Sequence, residues 1–162
     1  MAYERAIAIE PRFASPRSSR GALLALLGRE DEALRECELA TTLEPTLAFA
    51  QANYAAALFD CRRYEEAISA SDKALALDPG IEYVEALRVN AKRFLCDWSG
   101  FDEEASRLLD GAGGKRPVAM PLMILPVTSS AREQLSCGRL ISSVLCPEQP
   151  KPLWSGRIYS HD

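Results

Sequence analysis

The stretch EPTLAFAQANYAAALFDCRRYEEAISASDKALALDP, from Glu44 to Pro79, opens and closes on an acidic residue followed by proline, with runs of small and aliphatic residues between. Glu10-Pro11 lies the same thirty-four residues upstream, so Glu10-Pro11, Glu44-Pro45 and Asp78-Pro79 mark a period. Other positions keep it. Ala6, Ala40 and Ala74 each precede a marked proline by five residues, and Leu24 pairs with Leu58 and Ala33 with Ala67. A period of this length identifies a supersecondary unit that cannot bury its own apolar face and must stack on its neighbours. The expectation is an all-α stack of antiparallel helix pairs, which is a binding scaffold.

Residues 14–47 and 48–81 read as two helix-turn-helix units. Ser15 and Pro16 can open a helix through Leu27, Gly28 can end it in a left-handed cap, and Asp31–Leu43 supplies the second helix. In the next unit Phe49, Asn53 and Ala56 share a helix face, Tyr64-Glu65-Glu66-Ala67 opens the second helix, and Asp78-Pro79-Gly80 stops it. Ala33 and Ala67 are expected where two helices cross, because a larger side chain there would force the axes apart.

The flanks are less regular. Residues 1–13 form a partial repeat, in which Tyr3–Glu10 is the second helix of a pair and Ala6, Ile7 and Ile9 leave an apolar edge that invites self-association. Residues 82–110 are a divergent unit with helices at Glu82–Cys96 and Phe101–Leu109. Ala105 follows Ala67 by 38 residues, so an enlarged turn is expected around Cys96-Asp97-Trp98-Ser99. Residues 111–162 hold six of the ten prolines and read as a Pro-rich linker. One helix is expected within it at Ser129–Leu145, capped by Ser129 or Ser130 with Glu133 close behind.

Composition narrows the function. Of the net charge of −4, residues 111–162 contribute +3, which leaves −7 on residues 1–110. An acidic array is a poor surface for nucleic acid. No apolar stretch approaches a membrane span, since Val118–Val127 is interrupted by Pro121 and Pro126. Five cysteines without a CxxC pair argue against disulfides and zinc and for a cytoplasmic protein. Gly111-Ala112-Gly113-Gly114-Lys115 is not a phosphate loop, because Leu109 and Arg116 stand where glycine and Ser or Thr are required. His161 is the sole histidine, and the acidic runs Glu65-Glu66 and Asp102-Glu103-Glu104 sit in first helical turns, where they favour the helix dipole. No catalytic or metal-binding residues are assigned.

Gly21 and Ala55, Leu24 and Leu58, Gly28, Tyr64, Ala33 and Ala67, Ala40 and Ala74, and Pro45 and Pro79 together resemble the signature of the tetratricopeptide repeat. Arg17 and Gln51 replace a frequent tryptophan, and Cys37 and Ser71 a frequent aromatic, so the repeat is a loose one. The resemblance implies a right-handed superhelix whose first helices line a concave wall. Ser15, Ser18 and Ser19, then Phe49, Asn53 and Ala56, then Tyr83, Leu87 and Asn90 would lie on it. Ser19, Phe49, Asn53, Tyr83 and Asn90 are the candidate peptide-binding groove, in which an asparagine amide can hold a peptide backbone.

Three further segments, Leu77-Asp78-Pro79-Gly80 leading to Ala91-Lys92, then Cys96-Asp97-Trp98-Ser99 with Phe101-Asp102, and then Pro152–Asp162, resemble the region between repeats and catalytic domain in bacterial relatives of the protein O-linked N-acetylglucosamine (O-GlcNAc) transferases. In that family the repeats select protein substrates and a glycosyltransferase domain uses UDP-GlcNAc. The resemblance implies a substrate-recruiting arm, not catalytic by itself, whose partners are a protein or peptide and a glycosyltransferase domain. Only Asn53 matches the family's asparagine ladder, since Ser19 and Leu87 stand at the neighbouring places. The alternatives are a free-standing or self-associating interaction scaffold, and a part of an active UDP-GlcNAc-dependent enzyme completed by residues or a chain not present here.

Overall fold

In a computed structural model of the protein, residues 2–112 and 126–145 are described. They are all-helical: α1 (Ala2–Ile9), α2 (Ala14–Leu26), α3 (Glu30–Leu43), α4 (Ala48–Asp60), α5 (Tyr64–Leu77), α6 (Val84–Phe94), α7 (Phe101–Ala112) and α8 (Ala131–Leu145). Each helix packs on the next from α1 to α7, and α8 packs on α7. The closest pairs are α2 with α3 and α4 with α5, each joined by a three-residue turn that sends the second helix back along the first. The first helices also touch across units, α2 with α4 and α4 with α6, and α3 and α5 lie against the opening helix of the following unit.

The thirty-four-residue period recurs in the hydrogen bonds. Arg29 N–H donates to Leu24 O, Arg63 N–H to Leu58 O and Asp97 N–H to Lys92 O, each at 2.9 Å. The residue before each donor, namely Gly28 (φ 71°), Arg62 (φ 59°) and Cys96 (φ 56°), is left-handed. This is the Schellman end of a helix, met once by the residue that adopts it at no steric cost and twice by residues that do not. Glu44 and Asp78 N–H groups close α3 and α5 on Ala40 O and Ala74 O. Exposed Arg29–Glu32 and Arg63–Glu66 ion pairs, 2.7 and 2.6 Å, begin the second helices.

Arg17 and Gln51, one period apart, perform one task in both units. Arg17 donates from Nε and Nη2 to Pro11 O (3.1 and 2.9 Å), and Gln51 donates from Nε2 to Pro45 O (3.1 Å). A side-chain donor thus satisfies the carbonyl of the proline that ends the preceding unit, where that carbonyl has no helix to join.

The core is rich in alanine. Ala14, Ala40 and Ala50 form one buried cluster, and Ala55, Leu58, Ala67, Ala70 and Leu87 form the next. Ala33 and Ala67 are fully buried, as expected of a crossing point. The helices approach tightly at Gly21, where an added β-carbon would meet Cys37 Sγ at 2.4 Å and Ala33 O at 3.1 Å.

Several boundaries differ from expectation. Phe13 and Leu47, extended and without a side-chain cap, precede α2 and α4, so Ser15 lies inside α2 and does not open it. Left-handed Tyr83 (φ 65°) delays α6 to Val84, two residues beyond the expected start. The slip in the third unit is three residues, not four: Glu104 N–H donates to Gly100 O as Ala67 N–H donates to Arg63 O. Glu104, and not Ala105, therefore holds the crossing position, and Leu108 buries where Cys37 and Ser71 bury before it.

The expected helix near 129–145 is α8. Glu133 N–H reaches Ser130 Oγ (3.4 Å) while its carboxylate accepts from the Thr128 hydroxyl, so the cap involves Ser130 and Thr128 together. Cys137 carries α8 into a cluster with Ala86, Val89 and Leu108. The connector through Gly113-Gly114-Lys115 and the Pro152–Asp162 ending lie outside the described residues.

Candidate peptide groove

Gly21, Ala22, Ala25 and Leu26 recur every three or four residues along one face of α2, and Asn53, Ala56, Ala57 and Asp60 do so along α4. These eight residues line a groove of about 290 Å³ between the two helices. It is open because the facing positions are alanines and glycine. Ala22 and Ala56 are one repeat apart, so the period itself keeps both walls low.

Polar groups stand at defined places in this apolar trough. Asn53 Nδ2 donates to Ser18 Oγ (2.9 Å) and approaches Ser18 O (3.4 Å), which ties α4 to α2 and fixes the amide. With its donor engaged, the amide keeps Oδ1 as the acceptor it can offer to an occupant. Asp60 closes the groove at the last residue of α4 and makes no hydrogen bond or ion pair among the described residues. Although Asp60 is exposed as a residue, crowding of its carboxyl raises the pKa above the ordinary value, and Glu30 adds to the rise. A cation brought to Asp60 would relieve both effects.

The other expected groove residues are distributed differently. Phe49 is 46% exposed in the first turn of α4, outside the groove lining. Ser19 is half-buried, while Ser18 beside it is fully buried and receives the Asn53 bond. Tyr83 packs against the α6, α7 and α8 cluster, and burial raises its phenol pKa, with Glu82 and Cys137 contributing.

Asn90 is 7% exposed and engaged within its own helix. It donates to Ala86 O (2.8 Å) and accepts from Arg93 Nη1 (2.9 Å). Leu87 is likewise buried, in the cluster with Leu58 and Ala67. In residues 82–110 the positions expected to line the groove are thus used for packing.

Sequence reading missed Gly21, Ala22, Ala25, Leu26, Ala57 and Asp60 as groove residues. The signal lay in small residues on equivalent faces of consecutive first helices. Among the described residues, no group of three His, Cys, Asp or Glu side chains is placed to hold a metal ion, and no helix is long and apolar enough to cross a membrane. No protein-family model matches the chain, and no curated protein shows significant similarity to it.

Proposed function

We propose that the chain is a tetratricopeptide-type module that holds an extended segment of a partner protein in the groove between α2 and α4. The observation that carries this reading is the open apolar trough, with an oriented amide on its wall and an unpaired carboxylate at its end. Small side chains along Ala22, Ala25, Ala56 and Ala57 leave room for a peptide backbone. Asn53 supplies one fixed hydrogen-bond acceptor, and Asp60 favours a lysine or arginine in the occupant. The net charge of −7 on residues 1–110 favours the same partners at longer range.

On the resemblance of its third unit and tail, the chain serves as the substrate-recruiting arm of an O-GlcNAc-transferase-like glycosyltransferase and has no transferase activity alone. UDP-GlcNAc belongs to the enzyme domain. Turnover of UDP-GlcNAc by this chain alone would refute that half of the reading.

The test of binding is a titration of the isotopically labelled protein with three acetylated heptapeptides, identical except for a central Lys, norleucine or Glu. Shifts should fall on α2 and α4 and disappear in Ala56→Arg, which fills the groove. Binding of the Lys peptide should weaken in Asp60→Asn. Shifts that survive Ala56→Arg would place the peptide elsewhere and defeat the proposal.

A second reading is supported by the exposed apolar side chains of the amino-terminal edge, Tyr3, Ile9, Leu23 and Leu27. They suit self-association through α1 and α2. A sedimentation coefficient independent of concentration would exclude it.

A further inference from the structure

We propose that the crossing of α6 and α7 is an articulated joint, at which α7 and α8 release together while α2 to α5 remain folded. The observation is a substitution in kind at one place in the repeat. Leu58 and Ala67 are buried in the same apolar cluster of the second unit. Lys92 lies one repeat beyond Leu58, and Glu104 takes the place of Ala67 in the helix-opening hydrogen bond. An ion pair therefore stands where an apolar contact stood: Lys92 Nζ lies 3.1 and 3.2 Å from the two Glu104 carboxylate oxygens.

Glu104 is 8% exposed. Its Oε1 also meets Arg88 Nη2 at 3.2 Å, and Arg88 in turn reaches Asp72 on α5 at 2.8 Å. Lys92 Nζ donates further to Ser99 O in the enlarged turn. A second pair, Arg107 to Glu85 at 2.8 Å, spans the same two helices near the surface.

Such a joint differs from the crossings before it. Burying a carboxylate and an ammonium costs desolvation that their attraction only partly offsets, whereas Leu against Ala gains from burial without that cost. Once the crossing opens, both charged groups recover water. The longer turn lets α7 swing without dragging α6, whose cap is closed by Asp97 N–H on Lys92 O, three residues before Gly100, the residue ahead of α7. Because α8 rests on α7, and Cys137 of α8 and Leu108 of α7 bury together against Ala86 and Val89 of α6, the two helices leave as one body.

Native-state hydrogen exchange on the full chain tests this. Amides of α7 and α8 should exchange at least about tenfold faster than those of α4 and α5, at a rate common to both helices. Lys92→Leu with Glu104→Ala, which installs the second unit's residues, should slow α7 and α8 by about tenfold and leave α4 and α5 unchanged. Glu104→Gln, which keeps shape and strands the Lys92 charge, should speed α7 and α8 alone. Exchange of α7 in step with α4 and α5 in the unaltered chain would overturn the joint. So would a folded double variant no slower than the unaltered chain, or a Glu104→Gln variant that loosens every helix equally.

Discussion

Gly21 and Cys37 occupy the same point from opposite helices: a β-carbon on Gly21 would lie 2.4 Å from Cys37 Sγ. One repeat later the corresponding residues are Ala55 and Ser71. The first helix has gained a methyl group and the second has a hydroxyl oxygen in place of the larger sulfur, and Ser71 is fully buried with its hydroxyl donating to Ala67 O at 2.7 Å. The crossing thus conserves volume across the pair while exchanging the individual residues.

Gly21→Ala should therefore destabilise the protein by about 1–3 kcal/mol through overpacking. Adding Cys37→Ser should recover most of the loss, because the double variant copies Ala55 and Ser71. Urea unfolding of the two single variants and the double variant gives the coupling. Strict additivity would show that the two side chains do not compete for space.

The buried Ala67 predicts a loss without rescue. Ala67→Leu should cost about 1–3 kcal/mol, since α4 and α5 must separate to admit the side chain. A melting temperature equal to that of the unaltered chain would refute its place at the crossing.

Three helix ends share one left-handed geometry with different residues in it. Gly28→Ala should lower stability by about 1 kcal/mol, and Arg62→Gly should raise it by up to about 1 kcal/mol as the steric penalty of the side chain is removed. The two changes are compared by calorimetry. Destabilisation by Arg62→Gly would mean that its side chain contributes more than its backbone conformation costs.

Burial pushes the Cys37 thiol from 9.0 up to about 12, with Glu36 adding to the effect. The folded-state value lies above the unfolded one, so the folded chain holds the proton more tightly. The associated stability is fully present below pH 9 and is lost as pH rises toward 12. Unfolding midpoints should fall between pH 8 and about pH 10.5 more steeply in the unaltered chain than in Cys37→Ala. Equal slopes would remove Cys37 as the cause.

Much of the fold was legible because repetition makes local rules audible. Glycine at 28, the acidic first turns and the prolines at 11, 45 and 79 each mark a helix boundary, and the period aligns them. Boundaries failed where no residue type signals the backbone: nothing in Tyr83 announces a left-handed conformation, and Phe13 and Leu47 precede helices without capping them. The candidate site was less legible. Asn53 was found from its register, but Asn90, at a comparable polar place, is used up by Ala86 O and Arg93. Asp60 could not be recognised as a groove residue until α4 lay against α2.

By itself the sequence determined that helices of fixed length would pair and stack, because apolar spacing, small crossing residues and helix stops are local properties that recur every thirty-four residues. Only the tertiary structure decided what each repeated position does. Whether a crossing is filled by Gly21 against Cys37, or by Lys92 against Glu104, depends on which side chains from distant segments arrive at the same point. That meeting is set by the three-residue slip before α7 and by the packing of whole helices, and no single unit contains it.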